Sequence, residues 1–214
     1  QVTVVDDFSS GTLNNLPAGA PNLKILQGNI LDLPFLKNAC KNTDYILHHA
    51  ALVSVPLSIE QPNETFTINV QGTANVLEAA KTAGTKRVVF ASTCAVYGAG
   101  RGLPLNENAP LNPGTPYALS KLQGEELCRS YRELYGLDSV ILRYFNVYGP
   151  GQNPAGPYSA VIAKFLDCAL KHHPLPLESD GRQTRDFIFV QDIARANLWA
   201  ARQAGEGEVY NVGT

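Results

Sequence analysis

The 214 residues are 44% hydrophobic and 17% charged, long and apolar enough for a full α/β core and too unbiased for a disordered or fibrous chain. Seventeen Lys and Arg against nineteen Asp and Glu leave a formal charge of −2, which excludes the basic excess that nucleic acid or an anionic membrane demands. No apolar run approaches a membrane span, no charged n-region with an h-region opens the sequence, and Cys40, Cys94, Cys128 and Cys168 form no C-x-x-C pair; free thiols in a reducing, cytoplasmic compartment are expected, with no metal site.

Hydrophobic patterning predicts strands at 2–5, 23–27, 44–48, 87–92 and 139–144, with helices between them, clearest at 64–83 and 116–135. Such alternation marks a doubly wound α/β fold around a parallel sheet. Asp6 closes the first of these strands. It is placed to accept the ribose hydroxyls of an adenosine and to repel a 2′-phosphate, or equally to serve as a turn carboxylate before Ser9, Ser10 and Gly11. Residues 87–93 read Arg-Val-Val-Phe-Ala-Ser-Thr, a run suited to a strand buried on both faces. Thr93 then stands at its carboxyl end, where open α/β sheets bind ligands. Thr115 and Pro116 supply an N-cap and a first-turn proline, so Tyr117 and Lys121 fall four apart on one helix face. Residues 149–157 form a Gly/Pro loop, and further helices are expected at about 159–172 and 190–204.

Thr93, Tyr117 and Lys121 suit a hydride-transfer site, although Tyr-x-x-x-Lys also occurs as an ordinary surface helix pair. A free tyrosine titrates near 10. An ammonium about 4.5 Å away at an effective dielectric of about 20 would attract the phenolate by roughly 3.7 kcal/mol, two to three pKa units, bringing Tyr117 close to about 7. Tyr117 could then take the proton of a substrate alcohol whose carbon gives hydride to a nicotinamide, while the Thr93 hydroxyl holds the same oxygen.

Further pieces surround this grouping: Val4-Val5-Asp6-Asp7-Phe8-Ser9-Ser10-Gly11, His48-His49-Ala50-Ala51, Asn69-Val70-Gln71-Gly72-Thr73 and Ser92-Thr93-Cys94-Ala95-Val96-Tyr97-Gly98. After them come Pro116-Tyr117-Ala118-Leu119-Ser120-Lys121, Arg143-Tyr144-Phe145-Asn146-Val147-Tyr148-Gly149-Pro150 and Thr184-Arg185-Asp186-Phe187. In this order and spacing the chain resembles the extended short-chain dehydrogenase/reductase superfamily, and within it the NAD-dependent nucleotide-sugar epimerases and dehydratases.

The resemblance implies a Rossmann-like NAD-binding domain over 1–150 and a partial, interleaved substrate lobe over 151–214. It also implies that about 25 to 30 residues with the pyrophosphate-binding glycine loop precede residue 1, and that a C-terminal substrate region follows the last residue. The cofactor is expected to be NAD, held by Asp6, Asp7, Ser10, Gly11, Asn29, Ile30, Ala50, Ala51, Asn69, Tyr117, Lys121 and Phe145. Asn29 stands where the family usually has an aspartate facing the adenine amino group, and its amide oxygen can still accept. Asn69 either fixes loops beside the cofactor or satisfies a buried backbone group. Substrate contacts are expected from Ser54, Thr93, Asn146, Val161 and Arg185, with Arg185 and Asn146 on the diphosphate. Val53–Pro56 and Tyr158–Val161 are further candidates, while Glu178-Ser179 departs from the aromatic-glycine usual before Asp180-Gly181.

Cys94-Ala95 separates the chemistries. Dehydratases and decarboxylating relatives usually carry an acid directly after the Thr93 position, and neither residue here can serve as one. The resemblance therefore points to a cytoplasmic UDP-sugar 4-epimerase acting on a UDP-hexose or UDP-N-acetylhexosamine through a 4-keto intermediate. Open alternatives are another nucleotide-sugar enzyme (dehydratase, uronate epimerase or decarboxylase) and a non-catalytic dinucleotide-binding regulator. A homodimer through helices 64–83 and 116–135 is expected, with neither nucleic acid nor membrane as partner.

Overall fold

The computed structural model describes residues 1–99, 102–154, 160–177 and 180–214. Every strand pairing in it is parallel. β1 (Val2–Asp6) lies beside β2 (Leu23–Gln27). β3 (Tyr45–His48), β4 (Arg87–Thr93), β5 (Asp138–Tyr144) and β8 (Val209–Val212) form a four-stranded sheet in the order β3-β4-β5-β8. β6 (Asn146–Tyr148) pairs with β7 (Phe187–Phe189).

The period-two geometry of a strand explains the layers. In β4 and β5, Val88, Phe90 and Ile141 turn to one face and meet Leu77, Ala80 and Cys128. Those partners come from α4 (Gly72–Ala83) and α5 (Pro116–Tyr135). Val89, Val140 and Leu142 turn to the other face and meet Ile193, Ala200 and Ala201 of α7 (Val190–Arg202). Helices on both faces make the sheet doubly wound, as expected, and explain why β4 is buried along nearly its whole length. A third cluster joins Ile30, Leu36 and Val76 to Val5 of β1 and Ile46 of β3, so α4 and α1 (Leu33–Ala39) bind the two sheets together.

Local signals set the helix bounds. The Thr115 hydroxyl accepts from the Ala118 amide at 3.2 Å, Pro116 takes the first turn, and Gly136 at φ 69° ends α5, whose bounds match the expected 116–135. Where one helix is expected over 64–83, three consecutive pieces occur: α3 (Pro62–Phe66), a π-helical turn (Thr67–Gln71) and α4. The widened turn holds Asn69, whose amide is committed outside the helix. α6 (Val161–Leu170) is shorter than the expected 159–172, and α7 ends two residues before the expected 204. α1, α2 (Val55–Glu60), β6, β7 and β8 are additional elements. Among the described residues no helix is long and apolar enough to cross a membrane.

Candidate active site

The carboxyl end of β4 and the first turns of α5 meet at one place. Thr93 is the last residue of β4, 9% exposed, and its hydroxyl accepts from the Ala95 amide at 3.2 Å, starting the 3-10 turn Cys94–Tyr97. Tyr117 is the second residue of α5. Its amide donates to the Ser58 hydroxyl of α2 at 3.1 Å, and its carbonyl accepts from Ser120 at 2.8 Å. Asn69 then links the pieces: its oxygen accepts from the Leu52 amide at 2.7 Å, while its nitrogen donates to the Leu52 carbonyl and to Ser120. With its hydrogen-bonding groups so occupied, the Asn69 side chain fixes the Leu52 loop to α5.

Lys121 lies 4% exposed with its ammonium 4.6 Å over the Phe90 ring. Burial pushes its pKa down to about 8, opposed by Cys128 and Glu125. The phenol of Tyr117 moves the other way. Burial pushes it above its usual value, and a side-chain hydrogen bond with Thr93 opposes the rise. The expected drop of Tyr117 toward about 7 under the Lys121 charge is therefore not what the protein alone produces. Spacing puts both side chains on one helix face, but the lysine stem carries its ammonium over Phe90, and desolvation dominates at the phenol. Beside them His48 is pushed down to about 3 by burial and by Lys121. Its Nε2 is 2.9 Å from the Thr73 hydroxyl, which donates to the Asn69 carbonyl, so His48 is neutral with its proton on Nε2.

Of the other expected cofactor residues, Asp6 to Gly11, Asn29 with Ile30, and Ala50 with Ala51 lie at or just after the ends of β1, β2 and β3, and Phe145 follows β5. Asp6 accepts from the Phe8 amide at 2.7 Å, and a Cβ added at Gly11 would come within 3.2 Å of the Asp6 carboxylate. Exposed Ser10 shares that loop. Asp7 accepts from the Ser9 amide and from the Asn29 side chain at 3.0 Å, and its bonds to Ser9 hold its pKa below the ordinary value. The Asn29 oxygen already accepts from the Leu31 amide at 2.8 Å, leaving one lone pair for an adenine. Ile30 turns its side chain into the core, and its carbonyl accepts from Asn75. Ala50 and Ala51 follow β3, Ala50 exposed. The Phe145 amide donates to Val212 at 3.1 Å.

Of the expected substrate residues, Ser54 caps α2 through the Leu57 amide, Val161 opens α6 with 41% exposure, and Asn146 donates to the Asp186 carbonyl at 2.9 Å. Arg185 is exposed, with its guanidinium on the Thr184 carbonyl and the Gln183 side chain. Cys94, its thiol pushed up by burial, also feels the charges of Asp186 and Arg185, which sets that pair near the carboxyl end of β4. Tyr158, Ser159, Glu178 and Ser179 lie outside the described residues. The sequence reading gave no site role to Ser58, Ser120 or Glu125. For Ser120 and Glu125 the signal was available, three residues beyond Tyr117 and four beyond Lys121 on the same helix.

A dinucleotide fits this arrangement. Lys121 is 4% exposed with its ammonium over the Phe90 ring, and a cofactor hydroxyl would give that ammonium an acceptor. The glycine at position 11 keeps the space before Asp6 open.

Parallel strands with helices on both faces, and a Thr, Tyr and Lys at one strand end, define an α/β protein built for dinucleotide-dependent chemistry. The model of the NAD dependent epimerase/dehydratase family matches residues 1–213, and the chain belongs to that family. A UDP-N-acetylglucosamine 4-epimerase from Methanobrevibacter ruminantium M1, solved with UDP-N-acetylmuramic acid, is 40% identical, with a TM-score of 0.95 over 99% of this chain and 68% of its own. A UDP-glucose 4-epimerase of Mycolicibacterium smegmatis is 37% identical over all of this chain and 69% of itself. A dTDP-glucose 4,6-dehydratase from Streptomyces venezuelae, solved with NAD, is 35% identical, with a TM-score of 0.91 over 99% of this chain and 66% of its own.

Proposed function

We propose that the protein epimerises C4 of a UDP-hexose or UDP-N-acetylhexosamine. The observation that carries this reading is the Thr93, Tyr117 and Lys121 group with Cys94 and Ala95 directly after Thr93, neither of them the acid that an elimination uses at that position. NAD, when bound, supplies the hydride acceptor for C4, the return of hydride to the opposite face of the turned 4-keto sugar, and a positive charge that favours the Tyr117 phenolate. Tyr117 Oη takes the C4 hydroxyl proton and gives it back, while Thr93 Oγ1 holds the same oxygen. Lys121, charged below about pH 8, holds the cofactor side. The Cys94 thiol, pushed up by burial, stays neutral and takes no part in proton transfer. Asp6 favours NAD over its 2′-phosphorylated form, and Arg185 and Asn146 approach the diphosphate.

We further assign 1–150 to cofactor binding and 151–214 to substrate binding, a cytoplasmic location, and a homodimer through α4 and α5. The dimer reading is supported by Leu134 and Tyr135 near the end of α5, 72% and 55% exposed. The test is to incubate the purified protein with UDP-glucose, UDP-N-acetylglucosamine and UDP-glucuronate. Interconversion of C4 epimers without a dehydrated or decarboxylated product is expected, and a 4-keto-6-deoxy product would overturn the reading. Tyr117→Phe should lower kcat by roughly 100-fold or more.

A further inference from the structure

Four residues beyond Lys121, helix α5 carries a second buried charge that the chemistry above does not use. Glu125 is fully buried. Its Oε1 accepts from Ser92 of β4 at 2.5 Å and from Arg143 Nε at 2.9 Å, and its Oε2 accepts from a terminal nitrogen of Arg143 at 2.7 Å. Arg143, in β5 and 2% exposed, also donates to the Tyr97 hydroxyl at 2.9 Å and to the Glu107 carbonyl, and Tyr97 donates to Asn211 of β8 at 2.6 Å. One carboxylate thus fastens α5 to β4 at the residue before Thr93 and, through Arg143, to β5, to the turn after β4 and to β8.

We propose that Glu125 is a positioning residue for the catalytic group, fixing how far α5 slides and turns on the sheet and keeping Lys121 charged, with Arg143 and Ser92 holding Glu125 in place. The inference deepens the epimerase reading and rests on it for its kinetic part. A bidentate pair with two further donors, Ser92 and Arg129, the latter at 3.3 Å from Oε2, suits this task, because it resists rotation as well as translation. Tyr117, Lys121 and Glu125 occupy successive turns of one face, so a clamp at Glu125 governs where the first two point relative to Thr93.

The groups facing Lys121 leave Glu125 as its source of negative charge. From β3 and its end come His48 and His49, both pushed toward the neutral form, His48 to about 3. From β4 comes the uncharged Phe90 ring. From its own helix come Cys128, a thiol pushed up to about 12 and neutral at physiological pH, and Glu125. Tyr117 contributes no charge while its phenol is protonated.

Two readouts test this in the full-length protein. Lysine labelled with 13C at Cε is titrated by NMR without NAD, and the Lys121 signal is identified by its loss in Lys121→Met. In Glu125→Gln its midpoint is expected to fall by about one pH unit, and an unchanged midpoint overturns the proposal. In the epimerase assay the same variant is expected to lose about tenfold or more in kcat, with KM for the UDP-sugar within about threefold. A wild-type kcat would also overturn it. If Glu125→Gln does not fold, the double variant Glu125→Gln/Arg143→Gln, which leaves no orphaned charge, is measured the same way, and the same results decide. Should wild type convert no UDP-sugar, the epimerase reading fails while the titration still judges the clamp.

Discussion

Lys121→Met should make the protein more stable and catalytically poor, and the size of the gain can be worked out. Lys121 titrates at about 8 in the folded chain against 10.5 in the open. The difference corresponds to about 3 kcal/mol carried by the buried charged form. Methionine keeps most of the stem and removes the charge, but it also removes the ammonium stacked on Phe90, worth about 1 kcal/mol. A net gain of about 2 kcal/mol should raise Tm by roughly 4–8 °C for a chain of this size. The sign against pH is specific. Below pH 8 lysine is protonated whether the chain is folded or unfolded, so wild type bears the full cost. As pH rises from 8 toward 10.5 the folded chain releases its proton first, and the cost fades. Thermal melts without NAD at pH 7 and pH 10 should show the advantage of Met at the lower pH and almost none at the higher. A Tm at or below wild type at pH 7, or a gain equal at both pH values, would refute the argument that Lys121 is a strained cation awaiting a ligand.

Two further changes probe the floor and the rim of the site. A methyl at Gly124 would overlap the ring tip of Phe90, itself only 1% exposed, so Gly124→Ala should cost about 1–3 kcal/mol in a denaturant titration and lower kcat by tilting the surface under Lys121. Asp6→Asn removes the carboxylate at the end of β1 while keeping its shape. Titration calorimetry should show NAD bound about tenfold more weakly and the preference over its 2′-phosphorylated form reduced.

Much of the frame was legible in the sequence because local and global signals agree there. Thr115, Pro116 and Gly136 bound α5 as capping rules require, and the run from Arg87 to Thr93 suits the strand buried on both faces that it forms. The short elements were harder. α1 and α2 are seven and six residues long, too brief for a helical period to declare itself, and β6 and β7 have three residues each. The break at Thr67–Gln71 was hidden for another reason: the helix widens because Asn69 is bound to Leu52 and Ser120, contacts made across the fold.

The electrostatics were the least legible part, and Tyr117 shows why. Helical spacing reports which side chains share a face, but the direction of a pKa shift depends on the balance between a charge at some distance and the water that burial removes. For Tyr117 and Lys121 the second term wins at both ends, so each neutral form is favoured over what its residue type suggests. The two shifts oppose the charged pair that the proton transfer needs, the phenol held protonated and the ammonium made easier to lose. A site in this condition gains from any bound group that brings hydroxyls to the ammonium and positive charge to the phenol. Binding would then switch on the chemistry as well as place it, because one ligand both relieves the buried cation and creates the base.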